Sequence, residues 1–142
     1  MQLTRFTDYA LRTLIYLAGR PVQEKVALSY LAESFEMNLH HLNKVSQKLT
    51  QMGYLVSTRG KQGGISLARS PESISVGDVV RDMEPCLAAI DCDGIYCPIR
   101  SSCRLRGVLG KASQAFIREL DGVKLSDVSV TITDGQIPSV TL

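Results

Sequence analysis

Leu3, Phe6, Ala10, Leu14 and Leu17 recur at steps of three and four, with Leu11, Ile15 and Ala18 broadening the stripe, so residues 3–18 are predicted to form an amphipathic helix. Gly19 and Pro21 end it, and its polar side carries Arg5, Asp8 and Arg12. Leu28, Leu31, Ala32 and Phe35 predict a second, short helix. Asn38 is placed to cap a third, in which Leu39, Leu42, Val45, Leu49 and Met52 form the buried stripe and Gly53 the stop. That rotation turns His40, His41, Lys44, Gln47, Lys48 and Gln51 away from the core. Two short helices, a tight turn and a basic second helix outline a helix-turn-helix, whose second helix enters a major groove.

Tyr54–Thr58 and Ile65–Ala68 are strand-like runs joined by Arg59-Gly60-Lys61-Gln62-Gly63-Gly64, a segment too rich in glycine for anything but a hairpin loop. This is a wing, and its Arg59 and Lys61 suit a narrow minor groove where negative potential concentrates. Ser75-Val76-Gly77-Asp78 resembles a capping box opening a fourth helix along Val76, Val79, Val80 and Met83, which Pro85 ends. Leu105, Val108, Leu109, Ala112, Phe116 and Leu120 mark a last, long helix whose stripe needs a partner, and a second copy of the chain is the natural one. The tail from Leu125 alternates weakly through Val128, Val130 and Ile132 around Asp134-Gly135, as a strand, a hairpin or an unstructured end would.

Charge sharpens this outline. Residues 1–69 hold nine Lys and Arg against four Asp and Glu, a net +5, whereas residues 70–142 are at −3. The 33 positions from Met37 to Arg69 contain no carboxylate, which suits a phosphate backbone. Helix-turn-helix, basic hairpin and acid-free strip in consecutive order have no common packing explanation, and double-stranded DNA is the expected partner. With 44% apolar and 21% charged residues the 142-residue chain reads as one soluble globular domain plus an arm. The first apolar stretch is broken by Arg5, Asp8 and Arg12, so neither a secretory signal nor a membrane span is expected there, and a cytoplasmic location follows.

In a reducing compartment, four cysteines read as metal ligands or redox-active thiols rather than structural disulfides. They fall at Cys86, Cys92, Cys97 and Cys103, in a stretch that breaks all periodicity and has too few apolar residues to order itself. Thiolates are soft ligands for iron-sulfur clusters and for zinc, and the absence of a tight C-x2-C knuckle tilts the spacing toward a cluster. The alternative is a set of reduced, unliganded thiols. An electron carrier docking an acidic partner would use the same thiols, but the spacing is poor for compact ferredoxin patterns. No Ser/His/Asp or paired-acid constellation suggests an enzyme.

The runs Leu3-Thr4-Arg5-Phe6-Thr7-Asp8-Tyr9-Ala10-Leu11-Arg12, Arg59-Gly60-Lys61-Gln62-Gly63-Gly64-Ile65 and Gly77-Asp78-Val79-Val80, with three of the spaced cysteines, make the chain resemble the Rrf family of winged-helix regulators from residue 1 to about 125. Within the family it is most similar to the nitric-oxide-sensing repressors. The resemblance implies a mainly α fold. It divides the chain into a winged helix-turn-helix DNA-binding domain (1–84), a cysteine-rich cluster loop (85–104), a dimerisation helix (105–122) and a tail (123–142). It further implies a homodimer in which Cys92, Cys97 and Cys103 of one subunit bind an iron-sulfur cluster of two or four irons and Asp8 of the other is the fourth ligand. Asn38, His40, His41, Lys44, Gln47, Lys48, Arg59 and Lys61 would meet operator DNA, which is released when nitric oxide nitrosylates the iron. Cluster-assembly regulators of the family carry a His three residues after the last ligand cysteine; Arg106 stands there, which favours the nitric-oxide branch. Cys86 falls outside the ligand pattern. The alternative function is a regulator of the same fold that senses oxidative or iron-sulfur status through the cluster or through bare thiols.

Overall fold

The computed structural model describes residues 2–60 and 63–131. Five helices run in order α1 (Arg5–Ala18), α2 (Leu28–Ser34), α3 (Leu39–Gln51), α4 (Val76–Met83) and α5 (Arg104–Asp121). Between α3 and α4 lie β1 (Leu55–Thr58) and β2 (Gly64–Leu67), paired antiparallel with Leu55 opposite Leu67 and Thr58 opposite Gly64. Val26 extends this pair from the other side by exchanging two 2.9 Å backbone hydrogen bonds with Ile65. This is a mainly helical, winged helix-turn-helix fold.

The core is the meeting of the stripes read from the sequence: Ala10, Leu14 and Leu17 from α1, Leu31 from α2, Leu42, Val45 and Leu49 from α3, and Val79 and Met83 from α4 are all buried. Each such Leu contributes roughly 1.5–3 kcal/mol against leaving it in water. Thr4 caps α1, its hydroxyl accepting from the Thr7 N–H, so the helix starts at Arg5 rather than at residue 3. Leu39 and Met52, expected in the α3 stripe, are exposed, because they lie at the two ends where α3 runs past its neighbours. Tyr54 and Ala68 flank the strands rather than joining them. Glu36, with φ 51, makes the turn between α2 and α3 in the left-handed region.

The predicted capping box at the start of α4 does not form. Ser75 Oγ reaches the Asp121 carbonyl at 3.3 Å and Asp78 pairs with Arg81 at 2.8 Å, because the end of α5 is pressed onto the first turn of α4. Glu84 ends α4 with ψ 131, the extended conformation imposed by Pro85. The tail is neither strand nor hairpin where it is described: Leu125–Val128 is a 3-10 turn with Leu125 fully buried, and the backbone at Val130 passes against Gly19. Ile132, Asp134 and Gly135 lie outside the described residues. Among the described residues no helix is long and apolar enough to cross a membrane.

Two phenols report on this packing. Burial pushes Tyr16 up to about 12, with Tyr30 adding to the effect. Burial also pushes Tyr54 far up, and so does the carboxylate of Asp82, which accepts the Tyr54 hydroxyl at 2.6 Å. Both phenols hold their protons more tightly folded than unfolded, so the stability they contribute is complete below the ordinary phenol value and is lost as pH rises through and beyond it. Thermal melts followed by circular dichroism should therefore fall between pH 10 and 12. A Tyr54→Phe protein should lose less over that range, and equal slopes would contradict this assignment.

Candidate nucleic-acid interface and cysteine loop

α3 is built to present one face outward. Asn38 caps it by accepting the His41 N–H at 2.9 Å, which commits one acceptor position of its side-chain oxygen to the helix. His40, Lys44, Gln47 and Gln51 are exposed as expected. His41 and Lys48 are not free in the same way. His41 is half-buried with its ring 5.8 Å from Phe6 and 5.3 Å from Tyr9, and Lys48 Nζ stands 5.9 Å from the Phe6 ring. The N-terminal turns of α1 cover that edge of α3, a contact that the periodicity of α3 alone could not disclose.

Asn43, Gln47 and Gln51 follow one another every four residues and line a cleft with Ser57 and Arg59 of the wing. Asn43 is exposed on that face, and the sequence reading did not single it out. Its amide nitrogen donates to the Leu39 carbonyl, which leaves its oxygen directed outward as an acceptor. The signal was its place in register with Gln47. Arg59 is exposed beyond β1, and Gly60, with φ 106, turns the hairpin. Lys61, the other wing residue singled out, lies outside the described residues.

The cysteines all lie on the segment between α4 and α5, where no residue from 86 to 103 is buried. Cys86 and Cys97 are exposed, Cys92 and Cys103 half-buried, and all four are free thiols. Cys103 is the N-cap of α5 and makes no side-chain capping bond. Cys86 and Cys92 border one cavity of about 340 Å³ together with Arg106, Leu109 and Ser113. Arg106 donates to Asp93 at 3.1 Å, Arg100 pairs with the same carboxylate, and a guanidinium cannot ligate a metal. Asp8 pairs with Arg12 at 2.8 Å on the surface of α1. Among the described residues no three His, Cys, Asp or Glu are gathered into a metal-binding group, so the single chain does not by itself bring Cys92, Cys97, Cys103 and Asp8 together. The donor chemistry nonetheless fits a cluster: three soft thiols share one loop with no core of its own.

α5 has two faces. Ile117 is buried, and Leu109, Phe116 and Leu120 are half-buried, whereas Leu105, Val108, Ala112 and Ala115 form an exposed stripe. The single stripe predicted from the sequence is thus split between the protomer's own body and solvent.

A family model described as Rrf2, an iron-dependent transcriptional regulator, matches residues 3–131. The fold is similar to that of CymR (YrzC), the global cysteine regulator of B. subtilis, with a TM-score of 0.74 at 22% identity over 94% of this chain and 99% of that one. It is also similar to T. potens IscR, with a TM-score of 0.68 at 26% identity over 89% and 85% of the two chains. A regulator from Listeria innocua gives a TM-score of 0.74 at 25% identity over 100% of this chain and 95% of that one.

Proposed function

The chain belongs to the Rrf2 family of transcriptional regulators, and from that premise we propose that it is a homodimeric repressor of the NsrR type, holding palindromic operator DNA while an iron-sulfur cluster is intact and releasing it on exposure to nitric oxide. The observation that carries this reading is the coreless segment 86–103, in which three of the four thiols, Cys92, Cys97 and Cys103, lead directly into α5. Those thiols would hold the cluster with Asp8 from α1 of a second copy. When bound, the cluster would supply an iron centre that nitric oxide can attack and a tie between the two chains.

The protein's own residues do the rest. The Asp8–Arg12 pair is solvent-exposed, worth about 0–1 kcal/mol, so Asp8 can leave it at little cost. Pairing through the exposed stripe of α5 would set the separation of two α3 helices, which must be about 34 Å to occupy successive major grooves. His40, Lys44, Gln47 and Arg59 would meet the duplex directly, Lys61 would extend the wing, and His41 and Lys48 would contribute from the α1 edge. A second reading, a sensor working through bare thiols, draws on the fact that the four cysteines are free and ungrouped.

Anaerobic purification separates the two. The cluster reading expects brown protein with iron and sulfide, operator affinity that falls steeply with salt, and an Asp8→Ala protein that keeps its iron but no longer answers nitric oxide. Colourless, iron-free protein that binds and releases its operator on signal would overturn the cluster reading and leave the thiol sensor.

A further inference from the structure

Glu84 closes α4 immediately before Pro85 and Cys86, the entry to the cysteine segment. Its Oε1 accepts two hydrogen bonds across 80 residues of sequence, from the Thr4 backbone N–H at 2.6 Å and from the Thr4 hydroxyl at 3.1 Å. Thr4 is the N-cap of α1, so a carboxylate is fixed where that helix carries its positive end.

The next two turns of α1 are those that touch α3. The Tyr9 hydroxyl accepts the Asn38 N–H at 3.3 Å, and the rings of Phe6 and Tyr9 flank His41. Asn38 in turn caps α3. A continuous set of polar and ring contacts therefore runs from the first residue before the cysteine segment to the cap of the groove-reading helix. Phe6 and Tyr9 pack against the apolar core, but the first link lies outside it: Thr4 is exposed and Glu84 only half-buried. A displacement of residues 86–103 that pulled on Pro85 would act on Thr4 through Glu84 and, one turn later, on Asn38 and His41.

We propose that Glu84 is a positioning residue for sequence-specific DNA recognition, holding the start of α1 so that Tyr9 and Phe6 keep the N-terminus of α3 in its reading orientation. The proposal rests on the reading of α3 as the DNA-reading helix. Its test compares wild type, Glu84→Ala and Glu84→Gln in two measurements. The first is the backbone amide spectrum of DNA-free protein. The second is affinity, at one fixed salt concentration, for the tightest duplex recovered from a random pool by the wild type and for an unselected duplex.

Glu84→Ala should shift the Asn38 and His41 amides, far along the chain from the substitution. It should also lose about tenfold of the discrimination between the duplexes, the scale of one charge-assisted hydrogen bond, while affinity for the unselected duplex stays put. Glu84→Gln, which keeps the accepting oxygen, should restore both. Shifts confined to the surroundings of Thr4 and Glu84, with discrimination unchanged, would show a purely local cap and overturn the proposal. A wild type that prefers no duplex would sink the DNA reading instead, and the Asn38 and His41 amides would still decide whether the contact chain exists.

Discussion

Replacing Val108 by Asp should leave the protomer folded, abolish its self-association and cost operator affinity roughly 10²–10⁴-fold, the advantage a second linked half-site supplies. Val108 is 60% exposed and Leu105 57%, in a helix of 18 residues of which only Ile117 is buried. A helix that buries so little leaves an apolar face unpartnered within its own chain, and most helical stability in proteins comes from packing of such a face. Ala112 and Ala115 continue the exposed stripe with side chains small enough for two helices to approach closely. A carboxylate at position 108 would be desolvated by that approach, and a two-fold interface, which sets the same patch against itself, would bring two such charges into one apolar seam. Sedimentation velocity gives the oligomeric state and fluorescence anisotropy the affinity. A Val108→Asp protein that sediments as wild type does would show that the stripe is not the dimer seam.

The elements that proved legible in the sequence are those set by contacts close in the chain. Leu42, Val45 and Leu49 announce α3 because three- and four-residue spacing is itself the geometry of a helix face, and Gly53, with φ 76, is the stop that glycine tolerates best. The wing was legible for the same reason: β1 and β2 are joined by a short loop, and glycines mark its turn. What could not be read depends on which elements meet. Whether Ser75 caps α4 or reaches Asp121 is decided 46 residues away, and nothing local distinguishes the two. His41 has the same spacing credentials as His40, yet α1 covers one and not the other. The cysteines were legible as candidate donors or free thiols, the two readings a coreless loop leaves them. Their assembly with Asp8 was not, because the ligand set implied by resemblance spans two chains and the geometry of one chain does not gather it.

Gly77→Val should lower stability by about 3 kcal/mol, the upper range for forcing extra carbon into a filled site, and the melting temperature by roughly 10 °C. A Cβ at Gly77 would lie 2.8 Å from the backbone nitrogen of Asp121 and 3.0 Å from its Cα, so backbone rather than a flexible side chain would have to move. It cannot move freely. The Val76 N–H donates to the Val123 carbonyl at 3.0 Å, the Leu125 N–H donates to the Ile74 carbonyl at 2.9 Å, and Arg81 pairs with both Asp78 and Asp121. These bonds fasten the end of α5 to the winged-helix body, and Gly77 is the point of closest approach within them. Gly107 in α5 is the internal comparison, since nothing lies within 4 Å of a Cβ added there. Gly107→Ala should therefore stabilise by about 0.5–1 kcal/mol through helix propensity alone. Scanning calorimetry of both variants reads the contrast. If the two glycines respond alike, the junction of α4 and α5 is not the tight contact described.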